Sequence, residues 1–500
     1  MKNMKTWLSA LLAVMMLLAM TGIAMADMAD AVPTGSITVE HLEQGETVTI
    51  YQVIEIESDG TAALKDPKWV SGIQAWITTN YPEYADAANL PADGSAKVSK
   101  STFYNALSGQ LELASLTAVK NEQVTAATYT VENLTIGSYM VLVMGGEKAH
   151  EAYLTSIRAT KYDFDKTEWV VENGVVNAEA KCKTPNVEKE EDKTTAAIGD
   201  TVTFTVHSDV PTYPASAYEV AYELADTMAE GLTFKGDLKA YGIINANDSK
   251  ELTPGKEFTA DYTQLTTEGK TKIFELKFDY SQIKDYTQIK LVYSATVNEK
   301  IKIGSNQNTN EVKFTYDQKE KSSYTVLYSF GFDLTKRADS EKGELLPGAE
   351  FELRQDGEAL KFKKLKDGYY AVDPEGETKL VTGAEGERKG KIIIDGLNVG
   401  TYKLKETKAP DNFNLMQGEK DVIITQNGEA QEKHLLANTN DREHSKSAYW
   451  YQTVVDKRIS GLPATGGMGT TIFMVAGIAV MVCAVVALMV VLKRQKRSEG

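Results

Sequence analysis

The chain has 500 residues, a formal charge of −16, 42% hydrophobic and 25% charged residues, and two cysteines, Cys182 and Cys483. So acidic a chain carries no electrostatic footprint for nucleic acid, and its hydrophobic share supports ordinary cores. The length predicts about three domains.

Residues 1–26 read as a secretory signal peptide. Lys2 and Lys5 precede an apolar run from Trp7 to Met20, and Ala24-Met25-Ala26 supplies a small-residue cleavage site. The region 27–181 follows as an N-terminal domain. Alternation in Thr47–Val53 and the apolar run Ser138–Val143 predict strands, whereas Pro67–Asn80 and Ser101–Leu113 look helical. The expectation is a β domain with helical insertions.

The region 182–322 opens with Pro185-Asn186-Val187-Glu188-Lys189 and alternates in Asp200–Val206, Lys272–Phe278 and Ile289–Val297. It closes with Asn310–Tyr316. The region 328–441 begins with Phe330–Lys336 and continues through Leu346–Leu353, Lys391–Leu397 and Gly400–Thr407 to Leu435–Asn440. Short strands between turns at this spacing predict two β-sandwiches, so the fold class is mainly β. Residues 442–461 are expected to form a polar stalk, a role that gives no reason for Tyr449-Trp450-Tyr451.

The C-terminal region 462–500 has three parts in order. Leu462-Pro463-Ala464-Thr465-Gly466 comes first, then a span over 470–492 with an unbroken apolar run from Ile472 to Leu492, then Lys493, Arg494, Lys496 and Arg497. The apolar run is long enough to cross a bilayer, and the basic tail sets its orientation. Together these parts resemble the sorting signal of sortase substrates. That resemblance implies cleavage between Thr465 and Gly466 and transfer of the Thr465 carbonyl to an amine. Pro463 suits the role by holding the segment extended. Removal of both ends would shift the charge from −16 to −21. It would also leave Cys182 without an internal disulfide partner, unusual for an exported chain.

Both later regions carry a Lys in the first strand, an Asn near the end and an acid between: Lys189, Asp226 and Asn310, then Lys336, Glu406 and Asn438. Burial would lower the lysine pKa and raise the carboxyl pKa. A neutral amine beside a carboxamide, with an acid to move protons, is arranged for amide exchange. Surface residues of any β domain supply the same inventory, so the residues alone leave both readings open.

Leu334–Lys336, Leu346–Phe351, Tyr402–Pro410 and Asn438-Thr439 resemble the SpaA-type, Cna B-like pilin domain. Pro185–Lys189, Ile198–Val202, Asp226–Met228, Gly231–Phe234 and Asn310 resemble the fimbrial isopeptide-forming domain. The resemblance implies tandem Ig-like, Cna B-type sandwiches with Lys189–Asn310 and Lys336–Asn438 isopeptide bonds. Asp226 and Glu406 would be the proton shuttles, and Asn308 is the alternative to Asn310. It further implies a backbone (major) pilin: the fimbrial shaft subunit of a pilus on a Gram-positive cell wall. A class C sortase, the housekeeping sortase, accessory pilins, peptidoglycan and further copies of itself would be its partners. Lys181, just before Pro185, is the expected polymerisation acceptor, although Glu179-Ala180 replaces the family's Tyr-Pro; Lys183 is the alternative. A wall-anchored adhesin with a host ligand, or a basal or tip pilin, is the rival reading. The five histidines, His41, His150, His207, His434 and His444, lack metal-ligand spacing. No enzyme activity, metal or cofactor is expected.

Overall fold

A computed structural model describes residues 32–59, 63–90, 100–166, 168–215, 220–304, 307–426, 448–459 and 468–495. The chain forms two compact units. One comprises Met1–Thr194, Thr201–Lys300 and Asn306–Leu327, the other Thr195–Asp200, Ile301–Ser305 and Tyr328–Gly500.

In the first unit, the N-terminal part holds two sheets. Thr34–Glu40 pairs in parallel with Gly174–Asn177 and antiparallel with Thr128–Thr135. A larger sheet runs Lys68–Trp69, Thr47–Glu55, Gly137–Met144, Tyr153–Asp163, Glu168–Glu172. Within Gly137–Met144 the run Tyr139–Met144 is apolar because both its faces are covered. Tyr139, Val141 and Val143 pack with Ile37, Val39, Val48 and Ile50. Met140 and Leu142 pack with Ile73, Ile77, Phe103 and Leu107. The latter come from the helices Ser71–Asn80 and Lys100–Ser108. Each presents an i, i+4 apolar pair to the sheet. These two helices, with Gln110–Leu113, are the insertions expected over 67–80 and 101–113.

The rest of this unit is a two-sheet sandwich. One sheet runs Val187–Glu191, Thr201–Asp209, Gln288–Val297, Lys239–Asn245, Asp248–Glu251. The other runs Phe258–Asp261, Lys270–Phe278, Tyr222–Ala229, Thr309–Tyr316, Lys319–Val326. Side chains alternate inward: Val202, Phe204 and Val206 from the first sheet; Leu224, Phe274, Val312 and Phe314 from the second, all buried. Each such side chain contributes roughly 1.5–3 kcal/mol of burial.

The second unit has the same logic. Phe362–Lys366, Tyr369–Val372, Lys391–Leu397, Phe330–Ala338 and Tyr449–Asp456 form one sheet; Glu358–Ala359, Glu350–Gln355, Gly400–Lys408 and Glu419–Ile424 run in order in the other. Phe332, Leu334, Phe351, Leu353, Ile392, Ile394, Tyr402, Leu404 and Val454 are buried.

Tyr449–Asp456 corrects the expected stalk. It is a strand, paired in parallel with Phe330–Ala338 so that Lys336 faces Val454 and Ala338 faces Asp456. Its inward residues Val454 and Asp456 are buried, which is why the stretch cannot be a solvated linker. The aromatic triplet also gains a role. Tyr449 lies on the backbone of Gly331, where a Cβ would stand 2.2 Å from its ring, and its hydroxyl donates to Asp395 Oδ1 at 2.5 Å. The expected closing segment, Leu435–Asn440, lies outside the described residues.

The C-terminal helix Met468–Gln495 contains a 23-residue stretch, Ile472–Arg494, with mean hydropathy 3.0 in its most apolar window. It is long and apolar enough to cross a membrane.

Candidate cross-linking sites

Three inward positions of the first unit's sandwich carry polar side chains where alternation calls for apolar ones. Lys189 follows Val187, Asp226 follows Leu224, and Asn310 precedes Val312 and Phe314. All three are buried. Lys189 Nζ is 2.5 Å from Asp226 Oδ2 and lies over the rings of Phe204 and Tyr293. Tyr293 donates its hydroxyl to the same carboxylate oxygen at 2.5 Å and accepts from Asn310 Nδ2 at 3.3 Å. Thus Tyr293, which the sequence did not mark, bridges the acid and the amide. Asp226 Oδ1 and Asn310 Oδ1 have no hydrogen-bond partner among the described residues.

The electrostatics favour proton exchange within this cluster. Burial lowers the Lys189 pKa to about 8, against the opposing pull of Asp226. Burial likewise raises the Asp226 carboxyl and the Tyr293 phenol. Desolvation disfavours the charged form of each, so a neutral amine beside a protonated acid is within reach. Asn308, the alternative to Asn310, turns its amide to the carbonyl of Leu327 at 3.1 Å; Asn310 is the amide joined to Asp226 through Tyr293.

In the second unit, Lys336 ends the inward series Phe332, Leu334, and Glu406 ends the series Tyr402, Leu404. Lys336 Nζ is 2.7 Å from Glu406 Oε1 and 2.5 Å from Asp456 Oδ1, with all three side chains sealed from solvent. Phe351 lies beneath the ammonium, 5.2 Å away. Met416 N–H donates to Glu406 Oε2 at 2.7 Å. Burial raises the Glu406 pKa, opposed by the Lys336 hydrogen bond. Asn438 lies outside the described residues. Asp456, unmarked in the sequence reading, is the third member of this cluster.

Lys181 ends the short 3-10 helix Ala178–Lys181. It is half-buried, with Nζ 5.2 Å from the centre of the Tyr104 ring. A buried pair, Glu46 and His150 at 2.8 Å, supports the segment from below, since His150 Nδ1 is 3.2 Å from Ala178 O and Glu151 N–H donates to Lys181 O. Lys183 instead pairs with Asp209 at 3.0 Å. Cys182 is half-buried and free, and burial pushes its thiol up, away from thiolate chemistry. Leu462, Pro463, Thr465 and Gly466 lie outside the described residues. Among the described residues no group of His, Cys, Asp and Glu is arranged to hold a metal.

Residues 332–438 match the SpaA family, a prealbumin-like fold domain. The chain is 22% identical over 449 residues to the trypsin-resistant surface T6 protein of Streptococcus pyogenes serotype M6, across 81% of this chain and 75% of that protein. It shares its fold, at a TM-score of 0.51 and 16% identity, with the T6 backbone pilin of serotype M6 Streptococcus pyogenes. That protein has a modular three-domain structure with variable loops and extensions, and the likeness covers 85% of this chain and 99% of that one. The resemblance to Gram-positive pilins read from the sequence therefore stands. The SpaA match stops short of the strand Tyr449–Asp456.

Proposed function

We propose that this chain is the shaft subunit of a covalently polymerised pilus on a Gram-positive cell wall, stiffened by a Lys189–Asn310 isopeptide bond. The buried cluster of Lys189, Asp226, Tyr293 and Asn310 carries the reading, together with kinship to a surface T6 protein. In the cross-linking step the neutral Lys189 amine attacks Asn310 Cγ. Asp226, protonated at the start, gives its proton to the departing amide nitrogen and takes one from the attacking nitrogen, ending as it began. One N–C bond forms, one C–N bond breaks, and ammonia leaves. Positioning is the main source of rate, since effective molarities of well-oriented groups reach roughly 10⁵–10⁸ M.

Assembly follows from the ends. A pilin-specific class C sortase cleaves Thr465–Gly466 and joins the Thr465 carbonyl to Lys181 of the next copy, while the housekeeping sortase attaches the finished fibre to peptidoglycan. Head-to-tail joining that does not close builds an open fibre. The helix Met468–Gln495 holds the precursor at the membrane until cleavage. The chain catalyses nothing but its own cross-linking, and needs no cofactor. Wall extracts boiled in detergent test the reading: a ladder of covalent multimers is expected, with mature termini at Thr465. A single band overturns the shaft role in favour of a singly anchored adhesin.

A further inference from the structure

We infer, on the reading of Lys181 as the polymerisation acceptor, that Glu46 and His150 are positioning residues for that lysine. They hold, from inside the domain, the turn that presents its amine.

The turn needs outside support. Ala178–Lys181 is a 3-10 helix of four residues, too short to keep its shape by its own poorly aligned hydrogen bonds. Ala180 stands just before the lysine, and it leaves the backbone free where a proline ring would fix φ. The entry is capped locally, since Asn177 Oδ1 accepts from Glu179 N–H at 3.0 Å. The exit is pinned by the pairing of Cys182–Lys183 with Ala149–His150, and by Glu151 N–H donating to Lys181 O at 3.1 Å.

His150 reaches beneath the turn. Its Nδ1 is 3.2 Å from Ala178 O and 3.1 Å from the Tyr153 hydroxyl. That hydroxyl donates to Ala178 O at 2.5 Å and lies 3.3 Å from Lys181 O. The carbonyls at the two ends of the turn are thus gathered at one buried point. Glu46 aims the ring, because its Oε1 is 2.8 Å from His150 Nε2. A partner on one imidazole nitrogen sets the ring plane and the role of the other nitrogen. Glu46 is fixed in turn, with Oε2 accepting from Glu43 N–H at 2.8 Å. A Cβ at Gly146 would stand 2.2 Å from Glu46 Oε1, so the glycine makes room for the carboxylate.

Such a pair is a costly way to fill a core. Glu46 and His150 are 0% and 1% exposed, and a well-packed apolar pair of like volume is often as stable or more so. An apolar pair cannot, however, hold Ala178 O in one place. The benefit falls on Lys181. Acyl transfer to an amine gains its rate from a fixed approach of the reacting atoms, and a lysine side chain has four rotatable bonds. The backbone that carries it and the Tyr104 ring, 5.2 Å from its Nζ, are the parts this domain fixes.

The test compares wall-extract ladders from cells producing wild type, Glu46→Gln and the double variant Glu46→Leu/His150→Phe. The double variant removes both hydrogen-bonding groups and leaves no unpaired partner of the pair. Its ladder is expected to fall roughly 10- to 100-fold, with monomer ending at Thr465 accumulating instead, because the donor end is untouched. Glu46→Gln keeps an acceptor oxygen for the ring and should keep most of the ladder. The purified double variant should have the wild-type circular dichroism spectrum. Its Lys181 should also be acetylated by a small N-hydroxysuccinimide ester at the wild-type rate, since a small reagent needs no fixed approach. A wild-type ladder in the double variant overturns the inference. Loss of its fold, slowed acetylation of its Lys181, or an equal loss of ladder in Glu46→Gln does so too. Lys181→Ala in the same cells reports on the acceptor itself. A ladder that survives Lys181→Ala removes the acceptor reading, whereas one lost there but kept in the double variant removes this inference alone.

Discussion

Lys189 Nζ stands 2.5 Å from Asp226 Oδ2, and solvent reaches neither side chain. Before any bond forms, that pair is a burden on the fold. Removing ions from water costs several kcal/mol each, and mutual attraction recovers the loss only with good geometry. Amide formation would convert the burden into a permanent tie. In the fibre proposed above, whose mature chain would hold no internal disulfide, such a tie would matter most, because a sandwich held by burial alone is stable by only about 5–15 kcal/mol.

The burden should be visible as a pH dependence in a chain that cannot cross-link. In Asn310→Ala the amine remains, with a folded pKa of about 8 against 10.5 unfolded. Below about 8 both states hold the proton and the penalty is full. Between the two values the unfolded state binds more protons, so stability rises with pH. The penalty is on the order of 3 kcal/mol at about 1.4 kcal/mol per unit. Asp226, pushed up by burial, acts in the opposite direction from its ordinary value upward. The readout is therefore the difference between Asn310→Ala and the double variant Lys189→Met/Asn310→Ala in urea unfolding. That difference should shrink as pH rises from about 8 to 10.5. A flat difference means that the amine carries no burial penalty.

Tyr293→Phe removes the hydroxyl that joins Asp226 to Asn310 and leaves the ring in place. The lost hydrogen bonds cost about 1 kcal/mol each in stability, small beside the tie. The larger effect should be kinetic, since Asn310 loses the anchor that holds its amide in place. Freshly purified Tyr293→Phe should contain a fraction one ammonia heavier than the variant's own cross-linked form, declining over time. Full cross-linking at the earliest time measured would make Tyr293 a packing residue only.

Much of this was legible in the alternation of the strands. Lys189, Asp226, Asn310, Lys336 and Glu406 each interrupt an inward apolar series, and a polar residue there must find a partner or be expelled. Tyr293 was not legible: an inward tyrosine between Leu291 and Ala295 is ordinary core, and only the stacking of two sheets brings its hydroxyl to an acid 67 residues away. Asp456 was hidden for a different reason. Its strand has only Val454 and Asp456 fully inward, follows a polar stretch, and pairs in parallel with a strand 120 residues earlier. Long-range parallel pairing leaves no local signature. The pairing of Glu46 with His150, 104 residues apart, escaped notice on the same ground.

Lys181 and Lys183 differ in what holds them. Lys183 is in an ion pair with Asp209, which tethers the amine. Lys181 faces the Tyr104 ring, and cation–π contact is worth about 0.5–1 kcal/mol at a site of this exposure, little to give up on entering an acyl-enzyme. Lys181→Ala should therefore collapse the multimer ladder to monomer, and Lys183→Ala should leave it intact. The reverse pattern on the same gel assigns the acceptor to Lys183.

Gly331 and Tyr449 face each other in the parallel pair that closes the second unit. A Cβ at Gly331 would stand 2.2 Å from Tyr449 Cε1, inside any tolerable contact, so one of the two must give way. The ring is not free to swing aside, because its hydroxyl is committed to Asp395. Gly331→Ala should thus displace the strand Tyr449–Asp456 rather than the ring alone, at a cost of about 1–3 kcal/mol for overpacking. Displacement moves Asp456 away from its buried ion pair with Lys336, so the same variant should lower the melting temperature of the second unit. Adding Tyr449→Ala removes the obstructing ring, and contacting residues are expected to be non-additive. The double variant Gly331→Ala/Tyr449→Ala should therefore lose less stability than the sum of its two single variants, although it lacks an aromatic side chain and its hydrogen bond. Additive losses in the double variant would show that the close approach at Gly331 does not set the position of the strand Tyr449–Asp456.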